Sequence, residues 1–483
     1  MQNTIQTTIL DCYTDEPAGL GVPPYLGVYP RYIYGSLDGE ANYLTIDDLR
    51  LYTYYNNIPK IPKPSEKTNI KTLNLSINSK NIAEILKNTS KLIIIAGVHT
   101  PGKYLSAMPG TLKEIQHLTK DLNCKKILTG PAIFGSQLYG GSFSEQIDPK
   151  SFDAVQEFRF DYNKNDTAIK GTSIIKQIPD LRIIEIETGR GCTRKKGCSF
   201  CLEPLKNRFE FRKYQDVLDE IKQFYKLGAR HFRLGKQSCF YSYPHMEQLL
   251  PSITKECPDI KVLHIDNVNP IMVTEEKTKL IVKHCTEGNV AAFGVESFDK
   301  NVIKANNLNC QPEEIIKAIK IINKHGRERG KNGMPKFLPG INIIFGLLEE
   351  NKNTFKENYA HLKKILDDNL LLRRINIREA VIFPGTSIAE TGYKYLKKNR
   401  KYYWKWRNQI RQEIDLPMLK KLVPEGTILK DVRMEIYDGK KTFGRQIGTY
   451  PLIVGINKRH ELGKFYNVKV IGHMLRSVVG EVI

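Results

Sequence analysis

The chain has 483 residues, 41% of them hydrophobic, with 74 Lys and Arg against 52 Asp and Glu and a formal net charge of +22. No run is apolar enough to span a bilayer, no secretory signal opens the chain, and no internal repeat or long low-complexity segment interrupts it, so a soluble protein of a reducing, cytoplasmic compartment with no membrane partner is expected. The basic balance suits a polyanion such as nucleic acid. However, the lysines are spread along the whole chain, and Lys/Glu/Ile-rich composition also marks thermophilic proteins, so nucleic acid is the lesser expectation.

In chain order, Pro17, Pro23, Pro24 and Pro30 predict an ordered, non-helical segment, either a cofactor cover or a structural surface loop. Lys91-Leu-Ile-Ile-Ile-Ala96 is a continuous apolar run of the kind covered on both faces, ended by Gly97-Val-His99-Thr100-Pro-Gly102. An amphipathic stretch, Thr111 to Leu122, leads to a second strand closing at Gly130-Pro131-Ala132. These elements predict half of a Rossmann-like doubly wound unit in a first domain, residues 1–178.

Leu181 to Thr188 reads as a strand, and Gly189 and Gly191 then allow a tight turn into Cys192-Thr-Arg-Lys-Lys-Gly197-Cys198-Ser-Phe200-Cys201. Three cysteines at this spacing can hold an iron–sulfur cluster and leave one iron without a protein ligand. Zinc competes, but a closed structural site wants four ligands, and no second C-x-x-C or H-x-x-x-H is present. A disulfide framework fits less well, because the nine cysteines are odd in number and scattered. Cys239, Cys257, Cys285 and Cys310 read as buried small apolar residues.

Helical and strand patterns then alternate: Tyr214 to Leu227, His231 to Gly235, Val262 to Asn267, Glu275 to His284, Val290 to Glu296, Glu313 to Lys324, Gly340 to Gly346, Thr354 to Asp367 and Arg374 to Ile382. This is the repetition of a parallel sheet or partial (β/α) barrel, residues 179–398, within an overall α/β class. Arg374, Asn376, Arg378 and Glu379 either face a reaction chamber or cap the barrel with salt bridges. In the tail, 399–483, a basic aromatic helix around Trp404 and Trp406 precedes five short strand patterns, with Asp438-Gly439 between the first two. They predict a small antiparallel barrel that binds RNA or protein or closes one side of an enzyme.

Cys192, Cys198 and Cys201, with Phe200 before the last cysteine, resemble the cluster loop of the radical SAM superfamily, although the first gap is five residues where three is usual. The resemblance implies a [4Fe-4S] cluster and S-adenosyl-L-methionine (SAM). It places Gly235-Lys236-Gln237 at a strand-two motif for the SAM amino group, without its usual acidic residue, Glu296-Ser297 at a strand-four motif, and Ile341 to Glu349 beside adenine. A Rossmann unit ahead of such a barrel resembles the cobalamin-binding radical SAM enzymes. Gly130 and Pro131 are then similar to the loop for cobalamin's nucleotide tail, and His99, Thr100 and Gly102 to part of the D-x-H-x-x-G motif, with His99 as a candidate cobalt ligand. Leu10 to Tyr25, Tyr29-Pro-Arg-Tyr32, Tyr43 to Arg50 and Thr442 to Pro451 resemble an archaeal radical SAM group.

The implied function is a cobalamin-dependent radical SAM C-methyltransferase that methylates an unactivated carbon. It would be served by a reducing electron donor and act on a protein, with a glutamine of the methyl-coenzyme M reductase α subunit as the specific candidate. The alternative is a radical SAM enzyme of tRNA, such as a methylthiotransferase. Its second cluster needs three N-terminal cysteines, and only Cys12 and Cys124 are available. A non-catalytic binding protein is the third reading, and the complete cysteine triad speaks against it.

Overall fold

The computed structural model describes residues 6–14, 25–55, 74–100 and 108–483; Pro17, Pro23, Pro24 and Gly102 lie outside the described residues. The chain forms two compact units: Met1–Tyr139, Phe143–Glu185 and Gln215–Ala229 in one, and Gly140–Ser142, Ile186–Tyr214 and Arg230–Ile483 in the other. The β-rich tail thus belongs to the same unit as the strands that follow the cysteines.

In the N-terminal unit, five parallel strands lie in the order Asn42–Thr45, Thr7–Asp11, Lys91–Ile95, Lys125–Thr129, Ala154–Val155. The apolar run sits at the centre, with Leu92, Ile94, Ile95 and Ala96 fully buried. Leu49, Ile82, Leu86, Leu112 and Ile115 cover the sheet from the helices Ile46–Tyr55, Ile82–Asn88 and Leu112–Thr119. Numbered along the chain the order is 2-1-3-4-5, a complete doubly wound sheet rather than half of one. Its order reverses between Thr7–Asp11 and Lys91–Ile95, and the crevice beyond their carboxyl ends is where such sheets bind ligands.

The segment around Pro30 corrects the non-helical expectation, because Val28–Ser36 is a helix. Pro30 falls in its first turn, where the missing N–H would have had no helical partner. The motif around it serves packing. Tyr32 stacks on Phe160 with ring centroids 3.9 Å apart. The Arg31 guanidinium is fully buried against the Glu220 carboxylate, and its Nε donates to the Gly27 carbonyl at 3.0 Å. Asp48 accepts the Thr45 N–H at 2.7 Å, and Arg50 grips Glu114 through two bonds of 2.9 and 2.8 Å.

In the C-terminal unit, His231–Gly235 pairs in parallel with Val262–Ile265. Asn267–Val268, Asn289–Glu296, Phe337–Phe345 and Arg374–Glu379 form a second parallel run. Helices Glu275–His284, Pro312–Gly326 and Lys352–Asp367 alternate with them much as the periodicity predicts. The helix Met246–Glu256 was not anticipated, since Pro251 interrupts its pattern. One strand face meets the helices: the Phe345 ring lies 5.6 Å from Phe355 and 4.6 Å from Tyr403, centroid to centroid.

Helix Lys394–Ile410 carries the basic aromatic run and uses it for packing, with Trp406 donating its Nε1–H to the Phe355 carbonyl at 3.0 Å. The last five strands close into a barrel in the order Ile428–Asp438, Lys441–Gln446, Val454–Ile456, Val478–Val482, Phe465–His473. All neighbours are antiparallel except Val454–Ile456 with Val478–Val482, which run parallel, so the barrel is not the purely antiparallel one expected. The loop between its second and third strands reaches the parallel strands. Thr449 donates its backbone N–H to His264 Nδ1 at 3.1 Å, and the Tyr450 ring lies 4.3 Å beneath the Arg374 guanidinium. His264, whose pKa burial lowers to about 4, is the neutral acceptor this bond requires.

Candidate functional site

The cysteine loop leaves the end of the strand Ile183–Glu187 through the short pair Gly189–Arg190 and Glu210–Phe211. Gly191 has φ +82, and a Cβ there would lie 2.5 Å from the Arg208 carbonyl oxygen, so this turn requires glycine. The five-residue gap carries its own anchor. Arg194 donates to Asn309 Oδ1 and the Asn307 carbonyl at 2.6 Å each and to Cys198 Sγ at 3.4 Å, while Asn307 Nδ2 holds the Lys196 and Gly197 carbonyls at 2.8 and 3.0 Å. Ser199 is fixed to Asn306 through Oγ at 2.6 Å, and Phe200 packs against the cluster of Val302, Leu347 and Ile388. None of these asparagines stood out in the sequence.

All nine cysteines are free thiols, and Cys192, Cys198 and Cys201 are each partly accessible. Burial raises the Cys198 thiol to about 12 and the Cys201 thiol to about 11; Cys201 adds to the rise at Cys198, as Cys192 does at Cys201. The three sulfurs therefore feel one another's charge. That is the donor set a cationic cluster neutralises, with soft thiolates and a partial hydrogen-bond shell from Arg194 and the Glu203 N–H, the latter 3.4 Å from Cys201 Sγ. Cys239, Cys257 and Cys310 are buried as expected, and Cys285 is half-buried.

Gly235, Lys236 and Gln237 turn at the end of the next strand. Thr188 donates its N–H to the Gly235 carbonyl at 3.1 Å and its hydroxyl to Gln237 Oε1 at 2.7 Å, while Gln237 Nε2 is buried without a partner. Lys236 takes φ +74, an uncommon backbone for a side chain. An acidic side chain lies beside this motif, just after the neighbouring strand: a Cβ on Gly235 would lie 2.8 Å from Asp266 Oδ2, and Asp266 is paired with Arg233.

Glu296 sits at a strand end with φ +62 and one carboxylate oxygen unpartnered, and burial raises its pKa to about 8 despite the pull of Arg378. Ser297 follows it; its hydroxyl accepts the Asp299 N–H at 3.1 Å and meets Asn358 Oδ1 at 3.4 Å at the start of helix Lys300–Ala305.

In the N-terminal unit, Gly97 and Gly130 interlock at the carboxyl ends of the strands. A Cβ on Gly97 would meet the Ala132 nitrogen at 2.0 Å, and one on Gly130 the Ala96 carbonyl oxygen at 2.7 Å. His99, the candidate cobalt ligand, lies in the loop after the strand Lys91–Ile95. Its Nε2 is bonded to the Pro131 and Gly135 carbonyls at 2.8 and 3.1 Å, so this ring nitrogen carries a proton and ties the two loops together. Thr100 is a half-buried bend residue beside it. A doubly wound sheet with glycine turns at its switch-point edge, and a buried Thr129 hydroxyl without a partner, suits a large planar ligand such as cobalamin.

With parallel strands and a three-cysteine loop at a strand end, residues 186–362 match the Radical SAM superfamily. Over 98% of its length the chain is 41% identical to an uncharacterized protein of Methanocaldococcus jannaschii, covering 93% of that protein, and it belongs to the same family. An uncharacterized protein of Archaeoglobus fulgidus is 40% identical over 98% of this chain and 89% of its own. The fold is similar to the radical S-adenosylmethionine methyltransferase TsrM from Kitasatospora setae, solved with cobalamin and a [4Fe-4S] cluster bound. That likeness, at 13% identity, has a TM-score of 0.51 and covers 80% of this chain and 78% of that one. No helix among the described residues is long and apolar enough to cross a membrane.

Proposed function

We propose that the protein is a cobalamin-dependent radical SAM methyltransferase that methylates an unactivated carbon. The observation that carries this reading is the presence, in one chain, of a complete doubly wound unit and a match to the Radical SAM superfamily, in a fold similar to that of TsrM, which was solved with cobalamin and a [4Fe-4S] cluster bound. When bound, the cluster and SAM supply a 5′-deoxyadenosyl radical and cobalamin supplies the methyl group, so the protein's share is placement.

Cys192, Cys198 and Cys201 hold the cluster, and Arg194 with the Asn306–Asn309 turn fixes the loop that carries them. Gln237 Nε2 and the unpartnered oxygen of Glu296 offer a donor and a protonated carboxyl to SAM. Gly130 and Pro131 shape the cobalamin crevice. The acceptor in this reading is a protein side chain, with a glutamine of the methyl-coenzyme M reductase α subunit the first to examine.

The test feeds cells SAM precursor carrying a deuterated methyl group and compares peptide masses with and without the gene. A labelled methyl on carbon that disappears with the gene is expected; peptide masses that do not change would refute a protein acceptor.

A further inference from the structure

The inner face of the parallel strands is built unlike a filled barrel. A closed (β/α) barrel packs its interior with layers of bulky branched residues. Here the neighbours at one level are Ala292, Gly340 and Arg374, at the next Gly294, Asn342 and Asn376, and above them Ile344 beside Arg378. That these share one face follows from contact: a Cβ on Gly340 would lie 2.9 Å from Arg374 Cγ and 3.0 Å from Val290 Cγ1, and Asn376 Nδ2 donates to Asn342 Oδ1 at 3.1 Å. The alternate residues Phe293, Ile341, Ile343 and Ile375 are at most 1% exposed, whereas Gly294, Asn342, Ile344, Asn376 and Arg378 keep accessible surface. Small residues on two strands thus make room for the arginine and asparagine side chains of the neighbouring strand, with the Arg374 stem lying over Gly340.

The charge in that wall is not balanced. Arg374 lies close enough to Arg373, Arg378 and Arg411 to be repelled by each, and burial with this repulsion lowers its pKa to about 10. Arg411 has Asp415, and Arg373 donates to the Tyr450 carbonyl at 2.6 Å. Among the described residues Arg378 makes no hydrogen bond or ion pair, and its charge is felt by the Glu296 carboxyl. Guanidinium groups gathered on one strand face, one of them a partly accessible, unengaged fork with two amides beside it, form a receptor for a planar anion.

We propose that the acceptor carries a carboxylate that docks on Arg378 with the Asn342–Asn376 pair beside it, and that Arg378 is thereby a specificity-determining residue. Only the word acceptor rests on the methyltransferase reading; the carboxylate could be that of a protein side chain or of a free organic acid, and the same site serves both.

The test uses the full chain reconstituted with cluster, cobalamin and SAM, and measures binding of glutarate, the neutral glutaramide and N-acetyl-glutamate α-amide by calorimetry. Glutarate or the blocked glutamate should bind at least about tenfold more tightly than glutaramide, the preferred one of the two naming the source. Arg378→Gln should lose about tenfold or more of that affinity, and Arg378→Lys should recover part of it. Iron content and thermal midpoint show whether each variant is folded, and Asn376→Ala, which removes no charge, gives a second readout if Arg378→Gln is not. Equal binding of glutarate and glutaramide would overturn the proposal, as would an Arg378→Gln variant that loses SAM and keeps the acid. Failure to retain cobalt with carboxylate binding intact would instead remove the methyltransferase reading and leave the site standing.

Discussion

The Arg31–Glu220 pair gives the sharpest test of how the N-terminal unit is held together. Both side chains have no exposed surface, and the guanidinium lies 4.9 Å from the Tyr32 ring centre and 5.4 Å from that of Phe224. Removal of one partner takes the opposite charge away from a buried ionised group, a loss of roughly 3–5 kcal/mol. Arg31→Met also strips the donors from the Gly27 and Glu185 carbonyls, about 1 kcal/mol each, and should cost more than Glu220→Gln. Arg31→Met with Glu220→Leu removes both charges together and should recover most of the loss. Urea unfolding followed by circular dichroism, run as a double-mutant cycle, measures these values. Single variants that lose less than about 1 kcal/mol, or a double variant as unstable as the sum of the singles, would refute the reasoning.

Two further outcomes follow from the C-terminal unit. Glu350 is buried, accepts the Gly346 N–H at 3.0 Å and has its pKa raised by burial to about 8 from 4.5. The folded state therefore binds its proton more tightly than the unfolded chain does, and the protein loses stability as pH rises from about 4.5 through 8. Glu350→Gln should gain on the wild type over that range, by roughly 3–5 kcal/mol at the alkaline end, and a melting-temperature difference that does not change between pH 5 and 9 would contradict this. Arg194→Met releases Cys198 and the Asn307–Asn309 turn together. Reconstituted iron per chain should fall by about half or more, with Arg194→Lys intermediate; full iron content in Arg194→Met would show that the loop does not depend on it.

The cluster loop was legible because its information is local: three cysteines, two glycines and a preceding apolar strand all lie between Leu181 and Cys201. What holds the loop was not, since Asn306, Asn307 and Asn309 are more than a hundred residues away and are ordinary turn residues in the sequence. For the same reason Asp266 could not be assigned beside Gly235, as only the pairing of two strands brings it there. Local preference also misled at Pro30, whose helix is set by packing against Glu220 and Phe160. The alternation along Arg374 to Glu379 was visible, but which face met the chamber was decided by Gly340, Asn342 and the aromatic contacts of Phe345. The motif Thr442 to Pro451 had no evident purpose until Thr449 and Tyr450 were found against His264 and Arg374.

The central claim is that one chain holds both cofactor sites, and metal content tests it directly. The protein is purified without oxygen, reconstituted with iron, sulfide and hydroxocobalamin, desalted, and assayed for iron, acid-labile sulfide and cobalt beside Cys198→Ala. About four iron atoms and one cobalt per chain are predicted, with the iron lost in Cys198→Ala and the cobalt kept. Iron without retained cobalt would contradict the methyltransferase account, and a Cys198→Ala variant with unchanged iron would contradict the cluster itself.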